Sequence, residues 1–461
     1  MSISSLLFTS RDALAAHQMA IDITGANIAN VDTPGYTRQR VDLKSVGHVS
    51  VAGNSAQIGV DVSRIERSYD RYVESQICNQ RQKTGYNDAM LQGLQNIEVM
   101  LDDTGGGGIN DQLNKFWAAW ENLSKNPSGI VERSALVSTA EDLTASFVSC
   151  RENLDTVNSD LNRSITDVVS QVNDKVCEIT DLNARIMGTR GDKGDKNDLL
   201  DKRDEALKEL GGWIDISFCE NADGAVNVFM SNGEPLLQGM LGQTLSVRVN
   251  IDGHSDICSS NLPGEPVTDA ITGGKLGAFI ELQNRIVPEY IDAIDQAAQA
   301  LADRVNELHS SGYDAYQNTG VNFFEISDMS NRAGTIRVNA DISADANRIA
   351  ASLSVTGDAD NARAIAAVQN ELLMNSKTSS LNSYLAAVVG KIGSQVANAE
   401  TNSDYQAIIM NQLNNQRESI SGVSLDEEMI RLIKYQMGYT AAGKLCMTVN
   451  EMLDTLMNLV E

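Results

Sequence analysis

The chain has 461 residues, of which 42% are hydrophobic, and a formal net charge of −26. This length and composition can bury cores in about two to four domains, so the sequence is not that of a disordered protein. The charge argues against nucleic-acid binding, because neutralising phosphates requires clustered Lys and Arg. No stretch approaches the roughly 18 consecutive apolar residues of a membrane span, and the first residues lack the features of a cleaved secretory signal.

The first 30 residues predict a helix with an apolar heptad repeat. Four large side chains fall seven residues apart: Leu7, Leu14, Ile21 and Ile28. A repeat of this kind packs against another helix.

The segment from Asn27 to Tyr36 predicts how this helix ends. Asn30 is expected to terminate it in the left-handed conformation, which Asn tolerates well. Because Thr33 precedes a proline it is biased to be extended, and Pro34 followed by Gly35 suits the centre of a type II turn.

Helical patterning dominates the residues that follow. Residues 37–67 are expected to be extended or irregular, and a long helix is expected at 68–101. Four glycines at 105–108 mark a loop, since each costs a helix about 1 kcal/mol. A helix at 109–124 carries one aromatic face, and a helix of roughly sixty residues, from about 128 to 187, needs a partner along its whole length. After a loop at 188–195, Asn197 and Asp198 are expected to cap the next helix.

The pattern changes at residues 213–272, where β-rich segments are separated by turn signals such as Asp223-Gly224 and Asn232-Gly233. Helical sequence resumes at 274–308. One or two strands are expected within 320–339, and helices within 343–375 and 378–420. The order predicts a mainly α chain with an inserted β domain, in which both ends of the sequence supply one helical bundle.

The last 37 residues predict a second terminal helix, capped by Ser424 with Glu427 three residues on. Together with the N-terminal heptad, its apolar positions are the candidate interface residues: Met429, Ile433, Leu445, Val449, Met452, Leu453, Leu456 and Leu459. Spacings of three and four are those of a coiled-coil seam. An ordinary bundle within one chain shows the same spacing, so this pattern alone leaves open whether the partner is the same chain or a neighbouring subunit.

Signatures of catalysis are missing. The sequence contains no HExxH, no GxSxG, no Walker A loop and no GxGxxG between a strand and a helix. The four histidines lie far apart in sequence, and the acidic loop at 191–195 lacks the ligand spacing of an EF-hand. The six cysteines form no CxxC pair, which favours buried free thiols. We therefore expect no catalytic residue, no metal site and no cofactor.

Four segments carry a family resemblance. Asn27 to Tyr36, which reads Asn-Ile-Ala-Asn-Val-Asp-Thr-Pro-Gly-Tyr, resembles the signature of the flagellar rod, hook and hook-associated axial proteins. Within it we single out Asn27, Asn30, Thr33, Pro34, Gly35 and Tyr36. Residues 197–204, 416–428 and 441–459 resemble the hook-associated members at the hook–filament junction. The resemblance therefore extends from the first helix to the last.

This resemblance implies a structural subunit of the bacterial flagellum, not an enzyme. Such a subunit is exported by the flagellar type III apparatus without a cleaved signal peptide and polymerises outside the cell at the hook–filament junction. Its implied partners are copies of itself, the hook protein, the next hook-associated protein and an export chaperone that binds near the C-terminus. Too little sequence lies between residues 324 and 334 for the additional outer domain of longer members.

The resemblance also implies a division into three domains. These are an inner terminal coiled coil of 1–60 with 420–461, a helical rod domain of 61–212 with 273–312 and 343–419, and a small outer β domain of 213–272 with 313–342. Two alternatives stay open: another axial protein of the rod, hook or filament, or a ligand-binding or enzymatic module hosted by the β domain.

Overall fold

The computed structural model describes residues 3–51, 54–101, 108–189, 193–354 and 357–458. Helices dominate this part of the chain, as predicted. Their bounds are α1 (Ile3–Ala29), α2 (Arg71–Leu101), α3 (Ile109–Lys125), α4 (Ile130–Gly188), α5 (Lys193–Trp213), α6 (Gly274–Glu281), α7 (Val287–Ser311), α8 (Arg332–Thr335), α9 (Ala340–Ala344), α10 (Asp360–Ala367), α11 (Leu381–Ser421) and α12 (Leu425–Asn458). A π-helix, Leu282–Ile286, joins α6 to α7.

The strands form small antiparallel sheets. A two-stranded ribbon pairs β1 (Gln39–Val51) with β2 (Asn54–Arg67). The other strands are β3 (Ile216–Glu220), β4 (Val226–Met230), β5 (Pro235–Gln238), β6 (Leu241–Gly242), β7 (Leu245–Val249), β8 (Ser255–Ser259), β9 (Phe324–Ile326) and β10 (Ile336–Val338). They pair in the orders β3-β4-β5-β6, β7-β8 and β10-β9.

The ribbon is more regular than the sequence suggests for residues 37–67. Its register places Val41 opposite Ile65 and Leu43 opposite Val62. Alternation of this kind puts apolar pairs on one face of the ribbon. Gly47 and Gly59 lie within the strands, and Gly53 lies outside the described residues.

Two compact units make up the chain. The first comprises Met1–Thr84, Gln171–Thr244 and Gln406–Glu461, and the second comprises Gly85–Ser170 and Leu245–Tyr405. The strands of the predicted β region are divided between them, with β3 to β6 in the first unit and β7 to β10 in the second.

A buried amide fixes the four-stranded sheet within the first unit. Asn183 on α4 is fully buried. Its side-chain amide donates to the carbonyl oxygens of Val226 (2.9 Å) and Gly239 (2.8 Å), and its Oδ1 accepts from the Val226 amide (3.1 Å). Because Asn183 and Val226 are buried, loss of the bonds between them would leave buried polar groups without a partner.

Aromatic side chains form the core of the second unit. The predicted aromatic face of α3 is confirmed, since Phe116, Trp117 and Trp120 are all buried. Phe116 and Trp120 pack against Phe323 with ring centroids 6.0 Å and 5.5 Å apart. Phe324 adds a further contact to Phe116 at 5.6 Å.

His309 lies beside this cluster in a neutral form. Its Nδ1 donates to the carbonyl oxygen of Val321 (2.7 Å), and its Nε2 accepts from the Ala350 amide (2.9 Å). A neutral imidazole has one donor and one acceptor, which matches both partners. Burial lowers the pKa of His309 to about 4.

The start of α5 differs from its prediction. The helix begins at Lys193, so Asn197 and Asp198 lie inside it and do not cap it. Asn197 points to the ribbon, where it donates to Gln39 Oε1 (3.2 Å) and to the Ile65 carbonyl oxygen (3.4 Å). Residues 190–192 of the predicted loop, and 105–107 of the tetraglycine, lie outside the described residues.

Candidate functional site

The terminal helices α1 and α12 pack against each other, as predicted, and they run in antiparallel directions. Asn27 near the end of α1 binds Glu428 near the start of α12. Further along, the His17 and Tyr435 rings lie 6.4 Å apart. A Cβ added to Gly438 would lie 2.6 Å from the His17 ring, so the two helices approach closely at this glycine.

The residues buried along this pair are not the predicted stripes. On α1 the buried residues are small or polar: Ser10, Ala16, Ala20, Thr24 and Asn27. On α12 they are the charged Glu428 and the apolar Ala442 and Val449. Of the predicted interface residues in the described part of the chain, only Val449 belongs to this buried set. The physical reason is the close approach, for which large side chains leave no room.

The other predicted residues lie beside or opposite the buried face. Leu7, Leu14, Ile21 and Ile28 are half-buried. At 100° per residue their stripe is offset by roughly a quarter turn from the buried face of α1. The predicted residues of α12 are exposed by 36% to 52%: Met429, Ile433, Leu445, Met452, Leu453 and Leu456. Leu459 lies outside the described residues.

The turn after α1 follows the prediction at its centre and departs from it at its start. Gly35 has φ +80°, and the Tyr36 amide donates to the Thr33 carbonyl oxygen (3.2 Å), as a type II turn requires. The left-handed terminator predicted at Asn30 is wrong, because Asn30 is not among the described residues with positive φ. Instead its side chain donates to the Ala26 carbonyl oxygen (2.9 Å), which satisfies the end of the helix directly.

Asn27 forms the centre of a buried polar junction. Its Nδ2 donates to the carbonyl oxygen of Gln39 (2.8 Å) and to Glu428 Oε2 (2.9 Å). Its Oδ1 accepts from the Tyr36 hydroxyl and from the Gln39 amide, both at 2.9 Å. All four hydrogen-bonding positions of the amide are therefore used. One side chain thus joins α1, the turn, β1 and α12.

A second group of charges holds the ribbon to α5. Arg67 Nη1 contacts Asp201 Oδ1 (2.7 Å) and Asp204 Oδ2 (2.9 Å), and the Thr37 amide donates to Asp201 Oδ2 (3.1 Å). Burial raises the pKa of both carboxyl groups, and the guanidinium opposes this shift. Burial also raises the pKa of Tyr36, and the nearby carboxylates add to the effect.

Ion pairs complete the junction where α11 ends and α12 begins. The Arg38 amide donates to the Ser421 carbonyl oxygen (3.0 Å), and its guanidinium contacts Glu427 (3.3 Å). Arg417 binds Glu74 (3.0 Å) and reaches the Tyr36 carbonyl oxygen (3.4 Å). Three of the four segments that carry the family resemblance, 27–36, 197–204 and 416–428, therefore meet here. Sequence reasoning marked these segments without showing that they touch.

The surface of α12 that α1 leaves exposed is rich in large apolar side chains. Its large exposed hydrophobic side chains are Leu425, Met429, Ile430, Ile433, Met437, Tyr439, Leu445, Met447, Met452, Leu453, Leu456 and Met457. Single exposed apolar residues are ordinary on protein surfaces, but a helix with this many is not. The i, i+4 spacing from Met429 to Met437 was the signal in the sequence for the outer face.

Two features are absent from the described part of the chain. Its residues contain no group of three or more His, Cys, Asp or Glu side chains that could hold a metal ion. Nor does any helix among them combine the length and apolar character that crossing a bilayer requires. The prediction of buried thiols is wrong for Cys177 and Cys219, which are exposed, while Cys78 and Cys150 are buried.

Three family models match the chain. The flagellar hook-associated protein FlgK helical domain matches residues 94–324, just over half of the chain. The flagella basal body rod protein model matches residues 7–37, and the flagellar basal body rod FlgEFG protein C-terminal model matches residues 415–459. The two rod-protein models cover α1 with its turn and α12.

Relatives match along the whole chain. Flagellar hook-associated protein 1 of Bacillus subtilis is 28% identical, covering 98% of this chain and 97% of that protein. The protein of the same name from Salmonella typhimurium is 25% identical, with coverage of 99% and 100%. In fold, the chain resembles the flagellar hook junction protein FlgK of Burkholderia pseudomallei, with a TM-score of 0.65, 15% identity, and coverage of 75% and 100%. The chain therefore belongs to the family of the flagellar hook-associated protein FlgK.

Proposed function

We propose that this chain is a structural subunit of the bacterial flagellum that polymerises at the hook–filament junction and connects hook to filament. Family membership supports this role. In this proposal the subunit leaves the cell through the flagellar export apparatus, without a cleaved signal peptide, and assembles outside. Its partners are copies of itself, the hook protein, the next hook-associated protein and, before export, a chaperone bound near the C-terminus.

The observation that carries the proposal is the exposed apolar surface of α12. Its twelve large side chains are exposed by 36% to 73%. Summed around the helix, they present roughly 1,200 Å² of surface in more than one direction. Exposed apolar area on this scale is typical of a site of protein–protein interaction.

The predicted interface residues remain part of this proposal. We assign six of them to contacts with neighbouring subunits, because α1 leaves them exposed: Met429, Ile433, Leu445, Met452, Leu453 and Leu456. The half-buried stripe of α1 flanks the same helix pair and can add to such contacts. Val449 instead stabilises the pair within one chain.

We also propose the three-domain division, with 1–60 and 420–461 innermost, 61–212 with 273–312 and 343–419 as a rod, and 213–272 with 313–342 outermost. The polar junction supports the first boundary. It lies where α1, the turn, and the start of α12 meet the ribbon, so it can fix the direction of the inner helix pair.

The test is replacement of exposed apolar residues in a strain that lacks its own copy of this gene. Ile433→Asp places a charge on the outer surface of α12, where Ile433 is 52% exposed. Ile251→Asp is the matched control, since Ile251 is fully exposed at the turn between β7 and β8. We expect the control to restore filaments, and Ile433→Asp to give hooks without filaments by electron microscopy.

Two results would contradict the proposal. Normal filaments from cells that carry Ile433→Asp would show that the outer surface of α12 makes no contact needed for assembly. Cells without the gene that stop before completing the hook would instead point to another axial position, such as the rod, and would assign the chain to the alternative class.

A further inference from the structure

The exposed apolar surface of α12 divides into two patches that point in different directions. The first patch consists of Met429, Ile430, Ile433 and Met437, which are exposed by 50% to 68%. At 100° per residue these four lie on the side of α12 opposite to its buried face. This patch is the outer surface of a helix whose inner surface is already covered by α1.

The second patch continues the buried face of α12 toward its end. It consists of Leu445, Met452, Leu453, Leu456 and Met457, which are exposed by 36% to 73%. These residues centre on the same side of the helix as Ala442 and Val449, which are buried. Every residue from Asn450 to Asn458 is exposed. The second patch therefore continues the face of α12 that packs against α1 into a part of the helix that α1 no longer covers.

The two patches match each other in size and chemistry. Each presents about 450 Å² of Met, Ile and Leu side chain, so a contact between them buries about 900 Å² from these residues alone. The polar residues around them bring that area into the range of specific interfaces. Exposed Asp426 and Lys434 lie beside the first patch and exposed Asp454 lies beside the second, so Lys434 offers a charge opposite to that of Asp454.

We propose that the second patch of one copy of this chain docks on the first patch of the next copy. This inference rests on the proposed function, which requires an assembly of many copies. Contact between two different surfaces repeats from copy to copy and builds a ring or a helical array, whereas a surface that pairs with itself stops at a dimer.

The experiment uses two full-length variants, each defective in one patch. Ile430→Asp disables the first patch and Met457→Asp the second, and both side chains are more than two-thirds exposed, at 68% and 73%. Ile251→Asp serves as the control for an exposed apolar residue elsewhere. Sedimentation velocity at increasing concentration measures self-association, in sodium sulfate, which strengthens apolar burial.

We expect the unaltered chain and the control to form chains of many copies. Either variant alone should stay monomeric, with self-association weakened at least about 100-fold. An equimolar mixture of the two should form dimers and stop there, because each pair keeps one intact contact.

Two results overturn the inference, and they can be told apart. If each variant alone forms dimers, the patches pair with themselves, and the proposed function survives with a different contact. If the unaltered chain stays monomeric at every concentration, the two patches do not bind each other and the inference fails, whereas the proposed function is judged separately by the filaments of cells that carry Ile433→Asp.

Discussion

Replacing Asn27 by Asp tests whether the polar junction holds the terminal helices in place. The substitution keeps the shape of the side chain and the two acceptor positions used by Tyr36 and Gln39. It removes both donors, and it places a carboxylate 2.9 Å from the Glu428 carboxylate, where the amide now donates. The site is 1% exposed at Asn27 and fully buried at Glu428, so water cannot compensate.

The expected cost can be worked from these contacts. Loss of a hydrogen bond to a charged group costs about 1.5–3 kcal/mol, and the unpaired carbonyl of Gln39 adds about 1 kcal/mol. Two like charges at this distance repel by roughly 6 kcal/mol at an effective dielectric constant of about 20. Uptake of one proton by the pair relieves that repulsion, so we expect a net cost of about 4 kcal/mol at neutral pH. Acidification should reduce the defect.

Amide hydrogen exchange on α1 is the suitable assay, because a chain with two compact units need not unfold in one step. Asn30→Asp is the matched control. It introduces the same charge three residues later, at a half-buried position where the amide donates to Ala26 (2.9 Å) and accepts from the Thr33 hydroxyl (3.2 Å), and it should cost about 1 kcal/mol. We expect the amides of α1 to exchange about 100-fold faster in Asn27→Asp than in the control. Equal rates in the two variants would refute the reasoning.

Combining Glu428→Gln with Asn27→Asp distinguishes charge repulsion from a general loss of packing. A glutamine at this position can donate to the carboxylate that Asn27→Asp introduces, so the double variant should recover more than about 2 kcal/mol of the loss. Glu428→Gln alone should cost about 1 kcal/mol, since Asn27 keeps an acceptor and only the 3.3 Å pair with Arg431 is lost. Additive effects of the two changes would show that Asn27 and Glu428 do not interact.

Three further predictions concern packing and pH. Gly438→Ala should weaken α1–α12 packing by about 1–3 kcal/mol in thermal unfolding, because the added Cβ would lie 2.6 Å from the His17 imidazole. Gly443→Ala is the control on the same helix: its added Cβ would meet open space, so it should stabilise the chain by up to about 1 kcal/mol. Gly93→Ala should destabilise the second unit in urea, because its Cβ would overlap Leu282. Since burial lowers the pKa of His309 to about 4, the stability of the second unit should fall by roughly 3 kcal/mol as pH drops from 6.5 to 4, and His309→Gln should lose that slope.

The elements best predicted from sequence are those specified by local chemistry. Pro34 and Gly35 restrict the backbone directly, and the type II turn forms where they stand. The long helix needed only its apolar periodicity and the absence of breakers, and α4 runs from Ile130 to Gly188, close to the predicted bounds. The aromatic face of α3 followed from the spacing of Phe116 and Trp120.

The parts that were missed depend on distant residues. Asn30 was expected in the left-handed conformation, but a hydrogen bond to Ala26 offered the backbone a different ending. The residue type of Asn197 predicts a helix cap, but its side chain donates hydrogen bonds to the ribbon, more than 130 residues earlier in the chain. Propensity describes what a residue can do locally, and tertiary partners decide between the options.

The terminal helices show why apolar spacing alone could not identify the helix–helix contact. On α1, the heptad of Leu7 and Ile21 and the small residues Ala16 and Ala20 have similar periods but differ in direction. Close packing favours the small set, which leaves the large side chains on the flank. On α12, the same choice leaves Met429 and Ile433 on the outside. A helix that is apolar on two faces needs a partner for each face, and α1 packs against only one face of α12. The residues that looked like the seam of a pair are thus the ones that our proposal assigns to contacts with the next subunit.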